Sequence, residues 1–145
     1  MREILFKAKR KDNGEWMEGY YLNVAKINHF ICTGKIKLNG AVKGILAPEM
    51  YAIDPETLCR FTGQRYKCGK EVSENDIATI SAYSYNEPES DTTGIVIYSE
   101  GKACWCLKDL NSDKTIPMYE CYGSYITQIS YIGNIFDNPD LLEVE

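Results

Sequence analysis

Apolar and polar positions alternate with a period of two along much of this chain, and Gly, Pro, Asn and Asp interrupt the alternation roughly every eight to twelve residues. In residues 3–9, Ile4, Phe6 and Ala8 share one face, and Glu3, Leu5, Lys7 and Lys9 the other. That pattern predicts a half-buried strand. Asn13-Gly14 supports a hairpin turn with φ > 0. The return strand over residues 15–22 puts Trp16, Glu18, Tyr20 and Leu22 opposite Met17, Gly19 and Tyr21. The pattern leaves open which of these faces is the inner one. No long amphipathic helix and no internal repeat can be found.

Further on, residues 30–33 read as a short strand. Residues 35–38 and 42–46 form a weakly patterned pair around Asn39-Gly40, and Pro48 ends it. Asp54-Pro55-Glu56-Thr57 is a turn with Pro at its favoured position. The stretch over residues 61–80, FTGQRYKCGKEVSENDIATI, is dense in turn residues and then resolves into a strand. Gly63 and Gly69 are placed at turns that need φ > 0, Ser73-Glu74-Asn75 is a second turn, and Asp76 opens a strand running to residue 83. Residues 84–93 hold Pro88, Glu87, Glu89 and Asp91 with little that is apolar, and read as a solvent loop. Strands follow at residues 94–99, 103–107, 115–122 and 126–132. Asn138 as an N-cap with Pro139 behind it predicts one helical turn at residues 139–143. The expected architecture is mostly β: an N-terminal β-hairpin subdomain (residues 1–60), then a small SH3-like β-barrel part with the C-terminal helical turn (residues 61–145), together one folding unit.

Several segments carry a resemblance. Phe61-Thr62-Gly63, Gly69-Lys70-Glu71-Val72 and Asn75-Asp76-Ile77-Ala78 resemble the central signature of the YopX family of phage and prophage proteins. The opening MREILF, the YAIDPET of residues 51–57 and the closing YIGNIFDNPDLLE of residues 131–143 resemble its other signatures, so the likeness spans nearly the whole chain. Gln64, Cys68 and Asn75 depart from the pattern, Asn75 standing where the family usually has Gly. The resemblance implies a phage-type setting and a mostly β fold. It brings no activity and no catalytic residues.

The formal charge of −5 hides an asymmetry: residues 1–60 carry ten Lys/Arg against seven Asp/Glu, and residues 61–145 carry six against fourteen. A polyanion binder needs a dominant basic field, and only Lys7, Lys9, Arg10 and Lys11 could begin to provide one. Nucleic acid is therefore not an expected partner, and the acidic second part favours a basic protein. No apolar run approaches the roughly 18–20 residues that cross a bilayer, and the first residues lack the apolar core of a signal peptide. The expected setting is the cytoplasm of a bacterial host. There, the six cysteines are expected to be free thiols. Cys104-Trp105-Cys106 would put two of them on one face of a strand, but CxxC-like zinc spacing is absent. No metal or cofactor is expected.

His29 is the single histidine, which leaves little for nucleophilic catalysis, and no enzyme activity is expected. Gly63, Gly69 and Asp76 are read as structural, Asp76 accepting backbone N–H groups of the turn before it. Tyr83, Tyr85 and Trp105 are the candidate binding residues, as an aromatic rim able to hold a peptide, a base or a sugar. Two readings of function result. One is a non-catalytic phage accessory protein that binds a host or phage macromolecule or assembles with itself as a homo-oligomer. The other is an oligomeric protein that sequesters a small nucleotide-like ligand.

Overall fold

The computed structural model describes residues 5–38, 46–119 and 124–143. Strand accounts for 64% of the described residues, in two antiparallel sheets. The chain divides into two compact units, residues 1–61 and 62–145.

The first unit is a meander. Strand β1 (Phe6–Lys9) pairs with β2 (Trp16–Val24), β2 with β3 (Asn28–Leu38) and β3 with β4 (Leu46–Ala52), while the start of β5 (Cys59–Arg65) covers the other side of β1. The alternation selects the inner face. Ala8 is fully buried, opposite Met17, and with Ile31 and Ile53 it makes a small core flanked by Phe6, Met17, Tyr21 and Leu58. Trp16 therefore faces the other way, beneath the Lys7 and Lys9 ammonium groups at 4.8 and 5.4 Å from its ring centre. The first hairpin is wider than a two-residue turn. Arg10 donates its N–H to Glu15 O, and the Asn13 side chain accepts the Glu15 N–H, so that only Gly14 takes φ > 0. Pro48 does not end the second pair: it lies within β4, opposite Ile36. It is tolerated there because β4 is the edge of its sheet, where a missing donor breaks no ladder. Of the weakly patterned segment 35–46, residues 39–45 lie outside the described residues.

In the second unit, the end of β5 and β6 (Glu71–Ser73) lead into a five-stranded sheet. Its strands are β7 (Asp76–Ser84), β8 (Glu87–Ser99), β9 (Cys104–Asp109), β10 (Thr115–Pro117) and β11 (Ser124–Asn134), in the order β10-β9-β8-β7-β11. Ala78, Ile80, Val96 and Leu107 alternate inward and pack with Tyr66, Val72 and Met118. Among the described residues the expected SH3-like closure is not found: β10 and β11 end the sheet without pairing with each other. β10 is three residues long and ends in Pro117, which has no N–H to offer a closing ladder. The terminal turn is present as a 3-10 turn, Pro139–Leu142. Asn138 does not cap it, because its side-chain oxygen accepts the Asn134 N–H at 3.2 Å.

The acidic stretch 84–93 is a correction. It is not a loop, because β8 begins at Glu87 and the hairpin turns at Tyr85-Asn86. Its polar residues match polar residues across the strand on the outward face. Ser81 donates to Asp91 at 2.6 Å, Thr79 and Thr93 share a hydrogen bond of 2.7 Å, and Thr127 donates to Glu89 at 2.6 Å. Pro88 sits where the register slips between Ala82 and Ser84, a bulge that needs no donor. Leu107→Ala should lower stability by about 2–5 kcal/mol through a cavity in this core, and Ser81→Ala, on the outward face, by no more than about 1 kcal/mol. Chemical denaturation of both variants checks the inward and outward assignment.

Candidate functional site

The central stretch is built from two tight turns. Tyr66 donates its N–H to Lys70 O and Gly69 donates to Tyr66 O, both at 2.8 Å, with Gly69 at φ +93°. Asn75 takes φ +69° in the second turn and so does what Gly would do there. Gly63 is not at a turn. It lies inside β5 at φ +88°, beside Thr62, whose hydroxyl accepts the Gln64 N–H at 3.1 Å while donating to Val72 O at 2.9 Å.

Asp76 is fully buried at the start of β7. Its Oδ2 accepts the Ser73 N–H and the Tyr66 hydroxyl, each at 2.9 Å. The hydrogen bond to the preceding turn is the one expected from the sequence; the tyrosine partner is not legible there. Burial first, and then the charge of Asp76, push the Tyr66 hydroxyl far above its ordinary value, so it remains a donor. Tyr131 packs edge-on against the Tyr66 ring at 5.4 Å, under the Lys70 ammonium. The carboxylate and the phenol are thus engaged with each other and shielded from solvent.

The three aromatic candidates separate. Tyr83 and Tyr85 lie together at the end of β7, joined by Tyr125 of β11, which the sequence reading missed. Tyr83 is directly opposite Tyr125 and stacks on it at 5.2 Å. Tyr85 meets Tyr125 edge-on at 5.8 Å, and their hydroxyls are 2.9 Å apart. Tyr83 is 44% and Tyr85 78% exposed. Trp105 lies elsewhere. It is on β9 opposite Tyr98, half-buried against the core and edge-on to Tyr98 at 5.4 Å. The strand register explains the split, since Trp105 shares the inward face of Val96 and Leu107 and Tyr83 the outward face of Thr79 and Ser81. Beside Tyr83 opens a cavity of about 220 Å³, bordered by Ile80, Ala82, Glu87, Ile116 and Pro117.

Other chemistry is sparse. His29 stacks on Tyr21, with its Nδ1 2.5 Å from the hydroxyl. Arg10 pairs with Asp12 and lies 4.2 Å from the Tyr51 ring centre, so this part of the basic group is engaged within the chain. Cys32, Cys59, Cys68, Cys104 and Cys106 are free thiols. Burial, with help from the hydrogen bond to Cys104, pushes Cys106 up to about 11.

The sequence model of a family described as YopX protein matches residues 5–143. The chain belongs to the YopX family. No curated protein matches it. Within the matched residues, the stretch 61–80 holds the turns around Gly69 and Asn75 and the buried Asp76. Asp76→Ala should lose about 1–3 kcal/mol, as buried donors are left unpaired, and Gly69→Ala on the order of 1 kcal/mol, from the strain of a Cβ at positive φ. Thermal melts check both; an Asp76→Ala protein that melts like the parent contradicts the assignment.

Proposed function

We propose that this YopX protein is a non-catalytic accessory protein of a phage or prophage, and that it acts by binding a host macromolecule through the tyrosine cluster Tyr83, Tyr85 and Tyr125. The single observation behind this reading is that two of these rings are exposed while all three are braced. Stacking and the hydroxyl contact hold them at the end of a strand pair. Braced tyrosines offer large amphipathic contact area at little cost in conformational entropy. Such residues recur among those that dominate binding energy at protein interfaces.

The engagement of Asp76 with Tyr66 also favours binding over catalysis, because neither group faces a cleft where a substrate could reach it. The neighbouring cavity is smaller than the roughly 300–1,000 Å³ usual for small-molecule sites. It suits one anchoring side chain of a protein partner better than a whole nucleotide.

The test is capture from a host lysate by the tagged chain, compared with Tyr83→Ala/Tyr85→Ala. The double variant should keep the parent melting temperature to within a few degrees and lose at least about tenfold of the captured partner, the effect of roughly 1.4 kcal/mol. Equal capture by the two proteins would overturn the reading. Self-assembly belongs to the same proposal, because strand edges left unpaired favour pairing with a second copy. Light scattering at about 50 μM, well above micromolar affinity, should give a mass above that of one chain.

A further inference from the structure

Cys104 and Cys106 alternate onto the same face of β9, with Trp105 between them pointing to the other face. Their sulfur atoms are 3.6 Å apart. Cys106 is fully buried and Cys104 half-buried, so the pair has one dry end and one open to solvent. On the same face, the residue opposite Cys106 is Ile97 on one side and Pro117 on the other. Among the described residues no group of three or more His, Cys, Asp or Glu side chains is placed to hold a metal ion.

Two outcomes are open to such a pair, and the strand decides between them. A disulfide needs sulfurs about 2.05 Å apart and Cα atoms usually within about 6.8 Å. Residues two apart on an extended strand are separated by roughly 6.6 Å, at the far end of that range, and β9 is held extended by ladders to both β8 and β10. Oxidation would have to bend a strand in the middle of three. A dithiol that closes on an ion needs no such bend, because the sulfurs can stay well apart with the ion between them. Two soft sulfur donors, with no third His, Cys, Asp or Glu ligand beside them among the described residues, select a soft ion. A donor set of two also disfavours zinc, which takes four ligands in structural sites.

We propose that Cys104 and Cys106 form a two-coordinate thiolate site for a cuprous ion. Binding is a ligand substitution without change of oxidation state. Two S–H bonds break, two Cu–S bonds form, and two protons pass to solvent. The ion enters from the side of Cys104, and the apolar surroundings of Cys106 keep competing water ligands out.

The experiment is an anaerobic titration of the full chain with Cu(I) in competition with a chromophoric Cu(I) chelator. The parent should withdraw one equivalent. Cys104→Ser, a change at a half-exposed position, should weaken that uptake at least tenfold with an unchanged circular dichroism spectrum, and Cys106→Ser should do the same. Cys68→Ser, in an exposed turn, should bind like the parent. Failure of the parent to compete overturns the proposal, as does parent-like uptake by Cys104→Ser. Loss of uptake on Cys121→Ser would overturn the two-coordinate assignment, and one equivalent of zinc bound in preference to Cu(I) would overturn the choice of ion.

Discussion

A buried carboxylate organises the second unit. Asp76 has no access to water, and an ionised group in that position is tolerable only when its oxygens are satisfied. Two donors meet its Oδ2: the Ser73 N–H, from the turn just before β7, and the Tyr66 hydroxyl, from the end of the β5 segment. Hydrogen bonds to a charged group contribute about 1.5–3 kcal/mol each. Removing the acceptor leaves both donors unpaired inside the core. The contact therefore joins three pieces of chain that would otherwise be independent: the Tyr66 turn, β6 and the start of β7.

What it positions is the strand on which most of the unit is hung. β7 pairs with β8 on one side and β11 on the other, and Asp76 itself is opposite Asn134 at the far end of β11. Asn75, at positive φ, donates to Val96 O and accepts from the Ile135 N–H, so the turn before Asp76 also touches β8 and the exit of β11. From that anchored end, β7 runs to Tyr83 and Tyr85 at its other end. The tyrosines are thus carried on a strand pair whose base is locked, and their own stacking braces the tip. For the binding role proposed above, a surface built this way needs less ordering than one carried on a free loop.

The same strand explains where the sequence could and could not be read. Turn chemistry was legible, because it depends on a few adjacent residues. Gly69, Asn75 and the hydrogen bond from Ser73 to Asp76 follow from local φ preferences and side-chain reach. Gly63 shows the limit, since positive φ is a local need but whether it serves a turn or lies inside a strand depends on Thr62 reaching Val72. The polar stretch 84–93 reads as a loop from its sequence because polarity alone does not distinguish a paired, solvent-facing strand from unpaired chain. In fact its outward-facing polar residues meet polar residues on the neighbouring strands, Asp91 at Ser81, Thr93 at Thr79 and Glu89 at Thr127, so β8 keeps its ladder.

The sequence by itself determined the β character, the order of most strands, the tight turns and the family, since alternation, turn residues and spaced signatures are properties of contiguous segments. The tertiary structure decided what meets what. It brought Tyr125, forty positions away in the chain, onto Tyr85, and it turned Trp105 inward toward Tyr98. It gave Asp76 its tyrosine partner and, among the described residues, left β10 and β11 unpaired with each other. Each of these depends on strand register, which a one-residue slip would reverse. Register is set by the sum of contacts across the sheet, and no single stretch of sequence contains that sum.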